Sequence, residues 1–237
     1  MEKYRIMDIR THEDGIRVIQ LVPLAGRLFT YKPGNFLILH LLDEKGESID
    51  KRPYSIASSP TQGYIELAIK MIGGRFTSKL EKLKEGDIVG VEGPLGHFTY
   101  DGQNKCVFIA GGVGVAPFMS MLRYIDATKK EGTFILFYSY GKRTDNPYRE
   151  ELNELSKNPN ITIVQFLTRE MPAGWNGEIG RIDEARIGKY VKSPKEFNWY
   201  ICGPPQMCLT LRDVLTGMGV PSRKIKLESW GTPSPKS

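Results

Sequence analysis

Apolar and polar residues alternate through much of the first hundred positions. In Tyr64-Ile65-Glu66-Leu67-Ala68-Ile69-Lys70 a strand would put Ile65, Leu67 and Ile69 on one face and Glu66 and Lys70 on the other. The runs YRIMDIR, IRVIQLVPL, NFLILHLL, YSIAS and DIVGVEGPLG are similar short segments, parted by Gly, Pro, Asn and Asp. Short strands with frequent turns predict an antiparallel β-barrel. One stretch, 74–83, lacks this alternation; the spacing of Phe76, Leu80 and Leu83 predicts a short helix.

From Lys105 the rhythm changes. The apolar runs CVFIAG, TFILFYSYG, ITIVQFL and WYICG alternate with helical patterns over 117–129, 148–157 and 206–218. Strand and helix in turn predict an α/β domain with a parallel sheet and crossover helices. The polar link Tyr100-Asp101-Gly102-Gln103-Asn104-Lys105 separates the two patterns, so the expected organisation is a barrel over 1–101 and an α/β domain over 102–237. The last seven residues, GTPSPKS, read as a flexible tail.

Composition narrows the chemistry. With 237 residues, 40% hydrophobic and 25% charged, the chain can bury a core in each of two modest domains. No run reaches the length of a membrane helix, and the opening MEKYRIMDIRTHED has no signal-peptide core, so a cytoplasmic location away from membranes is expected. The three cysteines, Cys106, Cys202 and Cys208, are too scattered for a disulfide framework, an iron–sulfur cluster or a zinc site, and His12, His40 and His97 stand apart from them. No metal is expected, and redox chemistry would need an organic cofactor. The formal charge of +6 favours an acidic partner if it is clustered. Nucleic acid is not expected, because there is no arginine-rich tract and the lysines are interleaved with Asp and Glu.

Four segments carry candidate chemistry. Ala110-Gly111-Gly112-Val113-Gly114-Val115-Ala116-Pro117 follows an apolar strand and opens a helix, where glycines admit a phosphate close to free N–H groups; such turns also serve packing alone. Ile201-Cys202-Gly203-Pro204-Pro205 is a second strand-to-helix turn, and ligands of open α/β sheets bind where such turns converge. Arg52-Pro53-Tyr54-Ser55 sets a cation, a ring and a hydroxyl side by side, with Ser55 facing away from Arg52 and Tyr54 unless the strand bends. Gly73-Gly74-Arg75-Phe76-Thr77-Ser78 joins glycines, a cation and hydroxyls at a helix start. For each, a packing or capping role accounts for the residues as well.

In this order and spread over nearly the whole chain, RPYS, GGRFTSKL, GGVGVAP and CGPP resemble the ferredoxin-NADP reductase superfamily of flavin oxidoreductases. The resemblance implies an FAD-binding barrel followed by a pyridine-nucleotide domain. Arg52 and Pro53 would lie at the flavin pyrophosphate and ring, Tyr54 would stack on the isoalloxazine, and Ser55 would bond near its N5. Ile69 and Lys70 would run along the ribityl region, with Gly74, Phe76 and Thr77 at the pyrophosphate. Gly111, Gly112, Gly114 and Pro117 would hold the NAD(P)H pyrophosphate, and Cys202, Gly203 and Pro204 the nicotinamide. Glu228 and Trp230 resemble the family's terminal carboxylate and aromatic residue, though Trp stands where plant members carry Tyr. Ser55, Cys202 and Glu228 are the catalytic candidates, Cys202 by position and not as a nucleophile. Hydride transfer between nicotinamide and flavin needs no protein base, only proximity and orientation.

Nucleotide preference rests on the adenosine 2′ position, where a phosphate calls for cations. In Thr168-Arg169-Glu170, Arg169 resembles the arginine of NADPH-using relatives, and Lys142 and Arg143 are placed to approach the same phosphate; NADP(H) is favoured over NAD(H). The segment 175–182 is assigned no chemistry. Without cluster cysteines, electrons would leave through a separate carrier such as an acidic ferredoxin or flavodoxin. The alternatives are an electron-transfer flavin subunit of a larger oxidoreductase or oxygenase complex, and a non-enzymatic flavin or nucleotide module.

Overall fold

The structure is a computed structural model that describes residues 1–13 and 15–230; the expected flexible tail, 231–237, lies outside them. The first half forms six strands, β1 (Glu2–Thr11), β2 (Ile16–Pro23), β3 (Phe36–Leu42), β4 (Ser48–Ser55), β5 (Ile65–Lys70) and β6 (Ile88–Leu95), with helix α1 (Arg75–Leu80) between β5 and β6. All neighbours pair antiparallel, in the order β4-β3-β6-β1-β2-β5. The end strands β4 and β5 are not joined to each other, so the barrel-like sheet stays open along one seam. Leu37 and Leu39 of β3 and Ile65, Leu67 and Ile69 of β5 fill its interior.

Alternation in β5 works as expected on that inner face and differently on the other. Glu66 and Ala68, on the outer face, are 1% and 6% exposed because the second half of the molecule covers them. A polar face ordinarily reads as solvated, and here it is a contact surface.

The second half is a parallel six-stranded sheet ordered β10-β9-β8-β7-β11-β12, from β7 (Lys105–Gly111), β8 (Thr133–Tyr140), β9 (Ile161–Leu167), β10 (Glu178–Ile179), β11 (Asn198–Gly203) and β12 (Ile225–Ser229). Helices α2 (Ala116–Ala127), α3 (Arg149–Leu155), α4 (Glu184–Tyr190) and α5 (Pro205–Gly217) cover it. The central run CVFIAG is apolar throughout because both faces of β7 are buried. Val107 and Ile109 pack toward α5, and Phe108 and Ala110 toward α2. The α2-side core continues into the first half through Ile16, Val18, Ala57 and Ala68, so one apolar cluster spans both.

Chain order reverses at β7, whose neighbours are β8 on one side and β11 on the other, and the turns after β7 and β11 meet there. The sequence pattern does not anticipate β10, α4 or β12. β10 has two residues and α4 has seven, too few to show a period. α4 starts at Asp183, whose side chain accepts a bond from the Arg186 N–H. Among the described residues no helix is long and apolar enough to cross a membrane.

Candidate functional site

Two clefts meet at the seam between the halves. The first, about 420 Å³, opens between the unjoined strands β4 and β5 and is lined by Arg52, Tyr54, Ser55, Phe76, Thr77 and Trp230. Pro53, Gly74 and Lys70 also border it. β4 ends at Ser55, so the period-2 rule lapses there and Tyr54 and Ser55 both reach the cleft. Thr77, and not its neighbour Ser78, lines the wall. Ile69 is different: its side chain is 1% exposed inside the barrel core, and Ala68 and Lys70 flank the cleft instead. Strand parity turns the Ile69 side chain away from the cleft, so only its backbone is left to meet a ligand there.

Positive charge at this cleft comes from Lys70 and from a pair of guanidiniums. Arg52 Nη1 lies 2.9 Å from Asp50 Oδ1, and Arg75 Nε lies 3.6 Å from Asp50 Oδ2. The Arg52 guanidinium also sits 5.7 Å from the Phe76 ring centre, and Tyr54 and Phe76 are 5.9 Å apart. Arg75, the cation of the candidate segment GGRFTSKL, was assigned no individual cofactor contact, and it lines this cleft.

Behind Ser55 stands Glu228 on β12, its Oε2 accepting from Ser55 Oγ at 3.2 Å. Burial pushes the Glu228 carboxyl up to about 7, while the bond from Ser55 and the nearby Trp230 indole draw it back down. Glu228 is in register with Cys202 of β11, and the Cys202 thiol is fully buried. Burial, with the Glu228 charge adding to it, holds that thiol well above its ordinary range, so it is neutral and no nucleophile. Trp230 packs edge-on against Phe36 at 5.4 Å, and its buried indole N–H has no hydrogen-bond partner among the described residues.

The second cleft, about 300 Å³, is lined by Gly111, Gly112, Gly114, Gly203, Pro204 and Arg169. Lys70, Val113 and Trp230 border both clefts, which makes Trp230 the wall between them. The glycines hold the two turns together: a Cβ on Gly114 would stand 2.4 Å from the Cys202 carbonyl oxygen, and one on Gly111 would stand 2.6 Å from Met207 Sδ. Gly112 has φ +54 and an open position for a ligand to approach. Pro117 is buried and lines neither cleft; it sits in the first turn of α2 and sets that helix's start.

Arg169 also borders a third cleft of about 520 Å³ at the carboxyl ends of β8 and β9, shared with Ser139, Thr168, Arg181 and Gln206. Arg181 lies in the segment read as free of chemistry. Arg143 is placed elsewhere, on a cleft with Arg149 and Trp175, and its backbone N–H donates to the Glu170 carboxylate. Its side chain does not share a cleft with Arg169.

The first cleft suits a flavin nucleotide: Tyr54, Phe76 and Trp230 offer flat apolar walls, Arg52 and Arg75 offer positive charge, and the buried Trp230 N–H offers a donor without an acceptor. The second and third suit a dinucleotide, with glycine turns at one end and two arginines at the other. Among the described residues no group of His, Cys, Asp or Glu is arranged to hold a metal ion.

Comparison with known proteins bears on both halves. Residues 14–100 match the oxidoreductase FAD-binding domain family, and residues 108–213 the oxidoreductase NAD-binding domain family. The gamma subunit of sulfhydrogenase 1 from Pyrococcus furiosus is 35% identical over 207 residues, covering 83% of this chain and 67% of that protein. The reductase component of propane 2-monooxygenase from Rhodococcus jostii is 29% identical over 248 residues, covering 97% of this chain and 65% of that one. The chain spans about half to two thirds of the length of curated relatives such as these. Among solved structures, a ferredoxin NADP+ reductase from Neisseria gonorrhoeae with bound FAD and NADP superposes with a TM-score of 0.81 at 21% identity, covering 96% of this chain and 97% of that one.

Proposed function

The chain belongs to the ferredoxin-NADP reductase superfamily of FAD- and NAD-binding oxidoreductases, and from that premise we propose that it draws electrons from NADPH in preference to NADH and delivers them to an acidic one-electron carrier protein. The observation that carries this reading is the continuity of the three clefts. They run from Tyr54 and Ser55, past Trp230, to Gly112 and Gly203, and on to Arg169 and Arg181.

Each residue then has a task. Tyr54 and Phe76 would wall the isoalloxazine side of a bound flavin, and Arg52 and Arg75, which stand beside Asp50, would supply positive charge to its pyrophosphate. Bound FAD supplies the capacity, absent from side chains, to accept two electrons and release them singly. Trp230 keeps water from the flavin cleft and must move aside for a nicotinamide ring to enter, as expected of a wall shared by both clefts. At the rear of the cleft Ser55 Oγ donates to Glu228 Oε2, and the Glu228 carboxyl is the group that can hold or release a proton there. With its carboxyl near 7, Glu228 populates both protonation states around neutral pH. The preference for NADPH rests on Arg169 and Arg181, two cations on one cleft at the adenosine end.

A second reading is an electron-transfer subunit of a larger oxidoreductase or oxygenase assembly. It is favoured by relatives described as a reductase component and a gamma subunit. Co-purification of a partner with the native chain separates the two.

The test of the main reading is the visible spectrum of the flavin-loaded protein mixed with NADPH, with NADH, and then with an acidic ferredoxin at low salt. Faster bleaching by NADPH and reoxidation by ferredoxin are expected. Equal bleaching by both nucleotides overturns the preference, and a ferredoxin that stays oxidised overturns the carrier assignment.

A further inference from the structure

A cluster of charges lies buried where the two halves meet, away from the three clefts. Glu66 of β5 is 1% exposed and Arg123 of α2 is 8% exposed. Arg123 Nη1 donates to Glu66 Oε1 at 2.9 Å and to the Ala57 carbonyl at 2.8 Å. Its Nε and Nη2 fork onto the two oxygens of Glu151 on α3, at 2.5 and 2.7 Å. The second oxygen of Glu66 accepts from Arg10 and Gln20, each at 3.0 Å, and the Tyr148 ring centre lies 5.4 Å from the guanidinium carbon. Burial alone would weaken the Arg123 charge, but its bonds to Glu151 and the charge of Glu66 outweigh it, so Arg123 stays ionised.

What this cluster connects is more informative than that it exists. Three residues before Arg123, the Ser120 hydroxyl donates to the Ser58 carbonyl at 2.6 Å. Ala57 and Ser58 lie two and three residues beyond the end of β4, the strand that brings Arg52, Tyr54 and Ser55 to the flavin cleft. The opposite end of α2 follows the 3₁₀ turn Gly112–Val115, whose Gly112 and Gly114 border the nucleotide cleft. Seven residues of helix, roughly 10 Å, separate Ala116 from Arg123. One rigid element is thus tied to the flavin-side strand at one end and carries the nucleotide-side turn at the other. A buried ion pair contributes little net stability once its desolvation is counted, whereas a forked guanidinium fixes relative position closely.

We propose that Arg123 is a positioning residue for the reaction between nucleotide and flavin: gripped by Glu66 and Ala57 from the first half and by Glu151 from the second, it sets how far the Gly112–Val115 turn stands from the Tyr54-Ser55 strand end, and so the approach of the nicotinamide ring. It touches neither cofactor. This rests on the function proposed above, and it adds that the relative setting of the two halves is held by charge as well as by the shared apolar core.

Stopped-flow reduction of the flavin-loaded protein by saturating NADPH tests it, comparing wild type with Arg123→Met, Arg123→Lys, Glu151→Gln and Ser120→Ala well below their melting temperatures. A general loss of stability lowers the melting temperature and the flavin content but leaves the reaction of correctly folded, flavin-bearing molecules unchanged. A positioning role lowers the limiting rate itself, by about tenfold or more for Arg123→Met. It also weakens the long-wavelength charge-transfer absorbance of the nucleotide complex, leaves the apparent nucleotide affinity nearly unchanged, and lets Arg123→Lys recover part of the rate. A wild-type limiting rate in Arg123→Met overturns the proposal. Should Arg123→Met not fold, wild-type limiting rates in both Ser120→Ala and Glu151→Gln overturn it equally. Failure of NADPH and NADH to bleach the wild-type protein is a separate result, seen before any variant is compared, and it removes the underlying reading as well.

Discussion

Glu228 sits where burial and hydrogen bonding oppose each other, and its carboxyl, raised from 4.5 to about 7, makes a prediction with a definite sign. Between those two values the native state holds the proton more tightly than the unfolded chain, so this group's contribution to stability is present below pH 4.5 and is lost as pH rises through 7. Glu228→Gln keeps the uncharged form at every pH. It is expected to raise the melting temperature at pH 8 and change it little at pH 4, and to abolish any inflection near pH 7 in the rate of flavin reduction. A stability gain at pH 4 equal to that at pH 8 contradicts the assignment. At the adenosine end, Arg169→Ala and Arg181→Ala are each expected to raise the KM for NADPH by roughly tenfold or more, the worth of one charge-assisted contact at about 1.5–3 kcal/mol, while sparing NADH. Equal losses with both nucleotides count against a 2′-phosphate contact. Arg181 also shows what single residues conceal in sequence: it stands twelve positions beyond Arg169, and only the chain's return through β10 brings the two to one cleft. Arg75 was hidden differently, as one cation inside a motif whose glycines and hydroxyls already accounted for a helix start.

The elements that carry the site were legible where their periods ran long enough. Alternation in β5 and the unbroken apolar run of β7 both identified strands, and the glycine turns after β7 and before α5 stood out by composition. What alternation did not reveal was which surface each face meets: the Glu66 face of β5 reads as solvated and is buried against α2. Parity also separated Ile69 from Ala68 and Lys70, a distinction that family resemblance alone passes over. The convergence of the two turns is the most sharply constrained feature, since a methyl group on Gly114 would collide with backbone at 2.4 Å and no side-chain rotation relieves it. Gly114→Ala is therefore expected to push the Cys202-Gly203 turn away and abolish NADPH-dependent bleaching, while flavin content, set by the other cleft, stays near wild type. Normal bleaching in that variant would show that the turns do not need to touch.

For the whole molecule, the formal charge of +6 and the arginines around the clefts give the expected carrier its sign. Attraction of that kind accelerates encounter and is screened by salt, so the second-order rate of ferredoxin reduction should fall steeply as ionic strength rises from 0.1 M to 1 M and the screening length shrinks from about 10 Å to about 3 Å. A flat salt profile is incompatible with an acidic partner guided by charge. The open seam of the first sheet has a consequence of another kind. β4 and β5 end that sheet without pairing to each other, and strand edges left bare invite pairing with another chain. A ligand lying along the seam does the work of a missing stave. Stripped of flavin, the protein should become the sticky form, scattering light on warming, and FAD at a hundred times its Kd should restore about 2.7 kcal/mol of stability. In a cell, flavin supply would then govern how much of this chain escapes aggregation, as well as how fast it turns over.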